Sequence, residues 1–269
     1  MAIKLLRYRE LIAVLAWKNI SLRYKQSYLG MFWALLKPIM LMLTFSLVRS
    51  FVGIDTGELP YALLTFAALL PWILFQESAS EGVSSVTSNA ALIKKIYFPR
   101  EVFPITAMVT KLVELCISLV ILAGLMSYYR IMPTIQIVWL PLIILYTMLV
   151  ALTISFFGAA SNVYYRDIAQ ALPVTLSLAM YASPVMYPLT LVKHKLLVQR
   201  AVGDWSEPLY TIYTLNPLAG IIDSFQRALL QGLPPDFSSI WPGLALTLLI
   251  LPLSYIYFKN AERYFADII

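Results

Sequence analysis

The sequence predicts an all-α integral membrane protein. It should contain six transmembrane helices, an N-terminal amphipathic interface helix, a short cytoplasmic helix and a short external re-entrant element. Three observations predict this. Hydrophobic residues make up 60% of the 269 residues and the mean hydropathy is +0.78. Charged residues make up 13%, against about 25% in soluble proteins. The apolar runs are continuous, without the period-two alternation of a transmembrane β-barrel. A soluble domain of this size has too little polar surface to cover such a composition, which excludes a soluble enzyme, a nucleic-acid-binding module and a disordered chain. One Cys and one His exclude a disulfide framework and most metal sites, and no metal ligand is assigned.

A spanning helix needs about 20 mostly apolar residues for a ~30 Å hydrocarbon core. Six stretches qualify, at about 31–52, 61–80, 103–128, 136–160, 171–192 and 239–258. The domain division is therefore 1–29 as the interface segment and 30–269 as the six-helix membrane domain. Lys37 and Arg49 lie near the ends of the first span and can snorkel. Pro38, Pro71, Pro141, Pro173, Pro184 and Pro252 lie in or near spans; membrane helices tolerate proline, so kinks are expected rather than ends.

Six spans put both termini on one side, and the cations say which. Thirteen of the 20 Lys and Arg flank the spans on the side of the termini, five lie on the other side, and Arg49 and Lys111 fall within spans. The termini are therefore expected in the cytoplasm, and the +6 net charge reports orientation rather than nucleic acid. The N-terminus does not read as a signal peptide, because Lys18, Arg23 and Lys25 follow its short apolar stretch.

Between and before the spans, three segments carry information. From Leu5 to Lys25, a polar stripe of Arg7, Glu10, Lys18, Ser21 and Lys25 opposes Leu5, Tyr8, Ile12, Ala16 and Ile20. This reads as a helix lying along the membrane, with Arg9 and Arg23 displaced toward its apolar side. In the second-to-third loop, Ser88 or Asn89 can cap a helix over Ala90–Phe98, which Pro99 ends. That helix should show Lys94 and Lys95 together with Ile93, Ile96, Tyr97 and Phe98, apolar residues that need burial on the protein's own span ends or in a partner's groove. In the long external segment, Asn216–Pro217 supplies an N-cap and a first-turn proline. Leu218, Ile221, Ile222, Phe225 and Leu229 then form an apolar stripe, Asp223, Gln226 and Arg227 are polar, and Gly232 can close the helix.

Candidate chemistry is sparse. No glycine is followed by lysine, so the phosphate-cradling GxxxxGK[ST] loop is absent and this chain does not hydrolyse nucleotide by that route. Lys111 and Glu114 can pair on one helix face within the third span. Glu77 and Glu81 share a face at the inner end of the second. His194, between Lys193 and Lys195, reads as a solvated interface residue. No nucleophile constellation stands out, and no catalytic residue is assigned. Aromatic faces such as Phe32, Trp33, Tyr181 and Tyr187 suit either membrane belts or stacking on sugar rings along a path.

Several stretches together resemble a known family, the transmembrane subunits of ABC exporters for lipid-linked polysaccharides: O-antigen, capsule and teichoic acid permeases. These are RYKQSYLGMFWALLKPIM (23–40), KKIYFPREVFP (94–104), YYRD (164–167) with YASPVMYP (181–188), and NPLAGIIDSFQR (216–227). The resemblance implies a bacterial inner-membrane homodimer with two copies of a separate ATPase, which binds ATP and Mg while this chain carries no cofactor. It implies a coupling helix holding Asn89, Leu92, Lys94, Lys95, Tyr97, Phe98 and Arg100 against that ATPase. Arg23, Lys25, Tyr28, Leu29 and Gly30 would receive a polyprenyl pyrophosphate headgroup, whose charge guanidinium and ammonium groups match. Asn216, Pro217, Phe225 and Arg227 would belong to an external gate. The expected cargo is a lipid-linked polysaccharide, O-antigen first, with teichoic acid or capsule moved by the same mechanism as the alternative. Two other readings compete: a polyprenyl-sugar transferase using Glu77, Glu81 and Asp167, and an ion-coupled transporter using Lys111 and Glu114.

Overall fold

The computed structural model describes residues 8–25, 32–53, 59–95 and 98–268. Among these, every regular element is helical: α1 (Arg9–Tyr24), α2 (Phe32–Val52), α3 (Tyr61–Ser88), α4 (Ala90–Ile93), α5 (Val102–Tyr128), α6 (Leu140–Tyr164), α7 (Ile168–Tyr181), α8 (Leu189–Lys193), α9 (Ser206–Leu215), α10 (Pro217–Gln226), α11 (Phe237–Glu262) and α12 (Phe265–Ile268). A 3₁₀ turn, Ile135–Trp139, leads into α6. Among the described residues, four helices are long and apolar enough to cross a membrane: Tyr61–Ser88, Val102–Tyr128, Ile135–Tyr164 and Phe237–Glu262.

The bundle is built around α3. It packs on α6, α5, α2, α10 and α7, and Leu63, Phe66, Ala67, Ala68 and Leu69 are completely buried. The sequence YALLTFAALLPWILFQ explains its first half. The second half, ESASEGVSSVTS, carries helix eight residues past the expected end. Small side chains explain that extension. A Cβ on Gly82 would lie 2.2 Å from Ser155 Oγ, and one on Gly158 would lie 2.4 Å from Val83 Cγ2. The α3 and α6 backbones therefore approach closely along a seam of small residues, the arrangement by which helices associate where no hydrophobic driving force separates protein from lipid.

Two expected helices are interrupted. The stretch 171–192 is not one helix: α7 ends at Tyr181 and α8 begins at Leu189. Pro184 and Pro188 lack N–H donors, so the ladder cannot run through them. The exposed groups of the break are taken up by neighbours. Tyr61 donates its hydroxyl to the Met186 carbonyl at 2.8 Å, and Asn216 Nδ2 donates to Ser183 Oγ at 2.9 Å. The helix expected over Ala90–Phe98 is also shorter, with regular helix only in α4, Ala90–Ile93, and turns at Lys94 and Lys95. Asn89 makes no side-chain N-cap bond. Its Nδ2 donates instead to the Ser85 carbonyl at 2.8 Å, finishing α3. Ile93 and Phe98 are buried rather than displayed, and Tyr97 with Ile96 lies outside the described residues.

The other end of the bundle agrees with its sequence signals. Asn216 caps α10, accepting from Leu218 N, and Pro217 opens the helix. Gly232 follows in the left-handed region at φ 66°. The expected polar face is absent, however. Leu218 through Gln226 are all buried, Asp223 and Gln226 included. Gly220 and Gly243 permit this, since a Cβ on either would lie within 2.7 Å of the opposing backbone of the α10–α11 pair. Gln226 Nε2 meets its need by donating to the Leu64 carbonyl of α3 at 3.0 Å.

Replacing Gly82 with Val tests the seam. The added methyls must displace Ser155, and overpacking of this kind costs about 1–3 kcal/mol. The detergent-solubilised variant should unfold at lower temperature, and Ser155→Gly in the same chain should restore part of the loss.

Candidate functional site

Charged side chains from four helices meet at the end of the bundle where α1 lies. Glu77 and Glu81 are one helical turn apart on α3, and Lys111 and Glu114 are nearly so on α5; each pair therefore shares a face. The packing of α3 on α5 turns the two faces together. Lys111 Nζ bonds Glu77 Oε2 at 2.6 Å, Glu81 Oε1 at 2.9 Å and Glu114 Oε2 at 2.9 Å. Two more cations close the cluster from outside. Lys37 of α2 reaches Glu77 Oε1 at 2.9 Å. Arg23 of α1 holds Glu114 Oε1 at 2.6 Å with one terminal nitrogen and Glu81 with the other. Tyr24 donates to Glu114 Oε1 at 3.3 Å.

Three cations thus face three carboxylates, and the cluster is formally neutral. Burial grades the members. The Lys111 side chain is 3% exposed, whereas Arg23 and Lys37 are 36% and 44% exposed. Lys111 is therefore the interior counter-charge, and the other two are clasps laid over it. A cavity of about 270 Å³ adjoins the cluster. Its polar floor is Arg23, Lys37, Glu77, Lys111, Glu114 and Ser118; its apolar wall includes Trp33, Leu70, Ile73 and Leu74.

Arg23, expected to be available to a headgroup, is engaged by carboxylates here. Its displacement toward the apolar side of the α1 stripe is what aims it at the bundle: Leu15 and Ala16 on the same side are buried against α5, whereas Trp17 and Leu22 are exposed. Lys25 is exposed. Tyr28, Leu29 and Gly30 lie outside the described residues, as do Leu5 and Arg7 of the arm. The Lys111–Glu114 pair exists as the spacing indicated. The roles of Lys37, Glu77 and Glu81 as its further partners depend on helix packing; polar residues inside three apolar segments were the available signal.

The segment after α4 is tied to the C-terminal end of α11. Arg100 donates its backbone N–H to Glu262 Oε1 at 2.9 Å and its guanidinium to the Glu262 carbonyl at 2.8 Å. Lys259 Nζ bonds Glu101 Oε2 at 2.5 Å and Glu262 Oε2 at 2.6 Å. Phe98 packs edge-on to Phe103 at 5.3 Å between centroids. Lys94 and Lys95 are exposed and Leu92 is half-buried.

The candidate path aromatics fall at two places along α3. Phe32 and Trp33 are exposed, and Trp33 lines the charged cavity with Leu70, Ile73 and Leu74 from the middle of α3. Tyr181 and Tyr187 belong to the break that Tyr61 holds, where Tyr187 donates to the Tyr181 carbonyl at 3.4 Å and receives a bond from Tyr213 at 3.3 Å. Phe225 is fully buried in α10, and Arg227 Nε donates to the Pro234 carbonyl at 3.0 Å. Asp236 caps α11, accepting from Ser238 N at 3.1 Å, Ser238 Oγ at 2.6 Å and Lys193 Nζ at 3.2 Å. Burial pulls its pKa up, but the bonds from Ser238 and Lys193 outweigh burial and hold it below the ordinary carboxylate value.

Two substitutions probe these networks. Lys111→Met leaves three carboxylates facing two cations and should cost about 3–5 kcal/mol; Glu77→Gln added to it should recover part, read as thermal unfolding in detergent. Asp236→Ala should cost about 1 kcal/mol of stability at neutral pH. Because the folded pKa is lowered, that contribution is present above the unfolded value near 4 and disappears as pH falls through the folded value. The difference between wild type and variant should therefore vanish in acid; a gap that persists would contradict the capping assignment.

The ABC-2 type transporter family matches residues 10–230. The chain is 28% identical over 265 residues to the O-antigen export system permease protein RfbA of Myxococcus xanthus, covering 98% of this chain and 97% of that one. It is 26% identical over 263 residues to a protein of the same name from Klebsiella pneumoniae, covering 97% and 95%. A second such protein from Klebsiella pneumoniae is 26% identical over 265 residues, again covering 97% and 95%. With most of its length matched by the family, the chain belongs to the ABC-2 type transporters.

Proposed function

We propose that the chain is the transmembrane subunit of an ATP-driven exporter that moves lipid-linked O-antigen across the bacterial inner membrane. The observation that carries this reading is the end-to-end likeness to O-antigen export permeases of two organisms. In this reading α2 and the broken α7–α8 segment join the four long helices as six spans, and both termini face the cytoplasm, a reading that the distribution of Lys and Arg supports. Two copies enclose one path, and two copies of an ATPase subunit supply the energy with ATP and Mg.

The path has a physical requirement that α3 meets. Gln76, Glu77, Ser80, Glu81, Ser84 and Thr87 recur at helical spacing and are all half-buried. Polar groups at membrane depth need either protein or water around them. A second chain across a water-filled gap supplies both, and hydroxyl and amide groups suit a hydrated glycan. Trp33 and Tyr181 add faces on which sugar rings slide.

ATP-driven motion enters through the segment from Asn89 to Arg100, with Lys94 and Lys95 turned to the ATPase. The Arg100–Glu262 and Glu101–Lys259 bonds carry that motion to α11. Arg23, Lys25, Tyr28, Leu29 and Gly30 receive the pyrophosphate at the cytoplasmic face, and α10 with its Asn216 cap closes the external side. No nucleotide is hydrolysed on this chain.

Deleting the gene should abolish O-antigen at the cell surface while lipid-linked polymer accumulates inside; unchanged surface polymer would defeat the proposal. In the restored strain, Lys259→Met should leave the ATPase co-purifying. It should lower surface polymer about tenfold, as loss of roughly 1.4 kcal/mol of coupling would.

A further inference from the structure

We propose that the charged cavity takes up a pyrophosphate headgroup together with a divalent cation, the phosphates passing to Arg23 and Lys37 and the cation to Glu77 and Glu114. This rests on the reading of the chain as a lipid pyrophosphate exporter and adds the form in which the headgroup is bound.

The argument is charge balance. Arg23, Lys37 and Lys111 already face Glu77, Glu81 and Glu114, so the cluster carries no net charge to offer an anion. A pyrophosphate diester brings two negative charges. Adding them alone would leave carboxylates and phosphates crowded in a poorly hydrated place, a costly state. Adding them with Mg²⁺ changes the total by nothing.

The geometry permits a matched exchange. Arg23 and Lys37 are the part-exposed cations, and each holds a carboxylate that lines the cavity: Arg23 holds Glu114 at 2.6 Å and Lys37 holds Glu77 at 2.9 Å. When Lys37 turns to phosphate it releases Glu77 Oε1, and when Arg23 turns it releases Glu81 and Glu114 Oε1, the latter still met by Tyr24; buried Lys111 still holds Glu77 at 2.6 Å, Glu81 at 2.9 Å and Glu114 at 2.9 Å. Two carboxylates plus phosphate oxygens and water form the environment Mg²⁺ prefers over an all-protein cage. Glu81 lines a neighbouring hollow instead and stays with Lys111. The 270 Å³ of space compares with ~30 Å³ per water, and the apolar wall beside it favours a lipid over free pyrophosphate. Because Arg23 is on α1, filling the cavity also releases the arm from its ionic hold.

The test uses the complete permease–ATPase complex without nucleotide, with a sugar-linked undecaprenyl pyrophosphate (the diester) and inorganic pyrophosphate as probes, each in Mg²⁺ or in EDTA. Binding of the lipid should be about tenfold tighter in Mg²⁺, and inorganic pyrophosphate should bind more weakly. Glu77→Gln and Glu114→Gln should each remove the Mg²⁺ increment and, by leaving the cluster one unit positive, tighten the binding seen in EDTA; Arg23→Gln should weaken binding in both conditions, and Glu81→Gln, which keeps both proposed cation ligands, should keep a Mg²⁺ increment. Equal wild-type binding in Mg²⁺ and EDTA overturns the escorted-cation proposal and leaves the export reading standing, without recourse to any variant. An increment that survives both Glu77→Gln and Glu114→Gln overturns the location. Absence of lipid binding in every condition overturns this proposal and the headgroup reading on which it rests.

Discussion

Lys111 holds three carboxylates where water scarcely reaches. A lone ammonium in such surroundings would be too costly to keep charged; with Glu77, Glu81 and Glu114 around it the charge is compensated, but only while all four stay together. This requirement fixes the relation of α3 to α5, since two of the carboxylates sit on one helix and the lysine with the third on the other. It also explains why Arg23 and Lys37 come to the same place. One lysine does not neutralise three carboxylates, and the remaining two negative charges draw cations from α1 and α2. The arm is thus positioned by an electrostatic deficit in the bundle, with Leu15 and Ala16 its buried contacts.

That deficit has a defined position because the neighbouring seam is made of small residues. Gly82 and Gly158 bring α3 and α6 to within the reach of Ser155 and Val83. A bulky side chain there would rotate or displace α3, and Glu77 and Glu81 would turn with it. Packing and electrostatics act on the same helix from opposite sides. The half-buried polar face of α3 includes Glu77 and Glu81 themselves.

The sequence made the helical class, the positions of the long spans and the Asn216–Pro217 cap legible, because each depends on local composition or on a residue's own backbone preference. The pairing of Lys111 with Glu114 was legible for the same reason. The partners of Arg23 and Lys37 were not, since Glu81 is 58 residues from Arg23 and Glu77 is 40 from Lys37, and helical periodicity says which face a residue occupies but not what lies opposite. The shortness of α4 is not legible because Asn89 has two possible uses, the N-cap of α4 and the end of α3, and the end of α3 takes its side chain. The break at Ala182–Pro188 is not legible from the tolerance of membrane helices for proline, which holds for isolated residues. Two prolines four apart remove donors from successive turns, and a kinked ladder does not survive that. Asp223 and Gln226 looked like a solvated face until the glycines of α10 and α11 allowed the backbones to close over them.

Helix α3 links these features. Near one end Tyr61 holds the broken segment and Leu64 receives Gln226 of α10; past the middle Glu77 and Glu81 hold the charged cluster, and near the other end Ser85 anchors Asn89 ahead of α4. Sixteen residues separate Tyr61 from Glu77, about 24 Å at the rise of an α-helix. Pro71 lies between them, and without its N–H the helical ladder lacks one bond in mid-helix. Packing compensates there: Leu69, Leu70, Trp72 and Leu74 around the proline are all buried, so bending at that point costs contacts on several sides. A displacement of α3 at the cluster would strain the bond from Tyr61 to the Met186 carbonyl. The helix that carries the polar face is thus also an element that both the charged cavity and α10 contact.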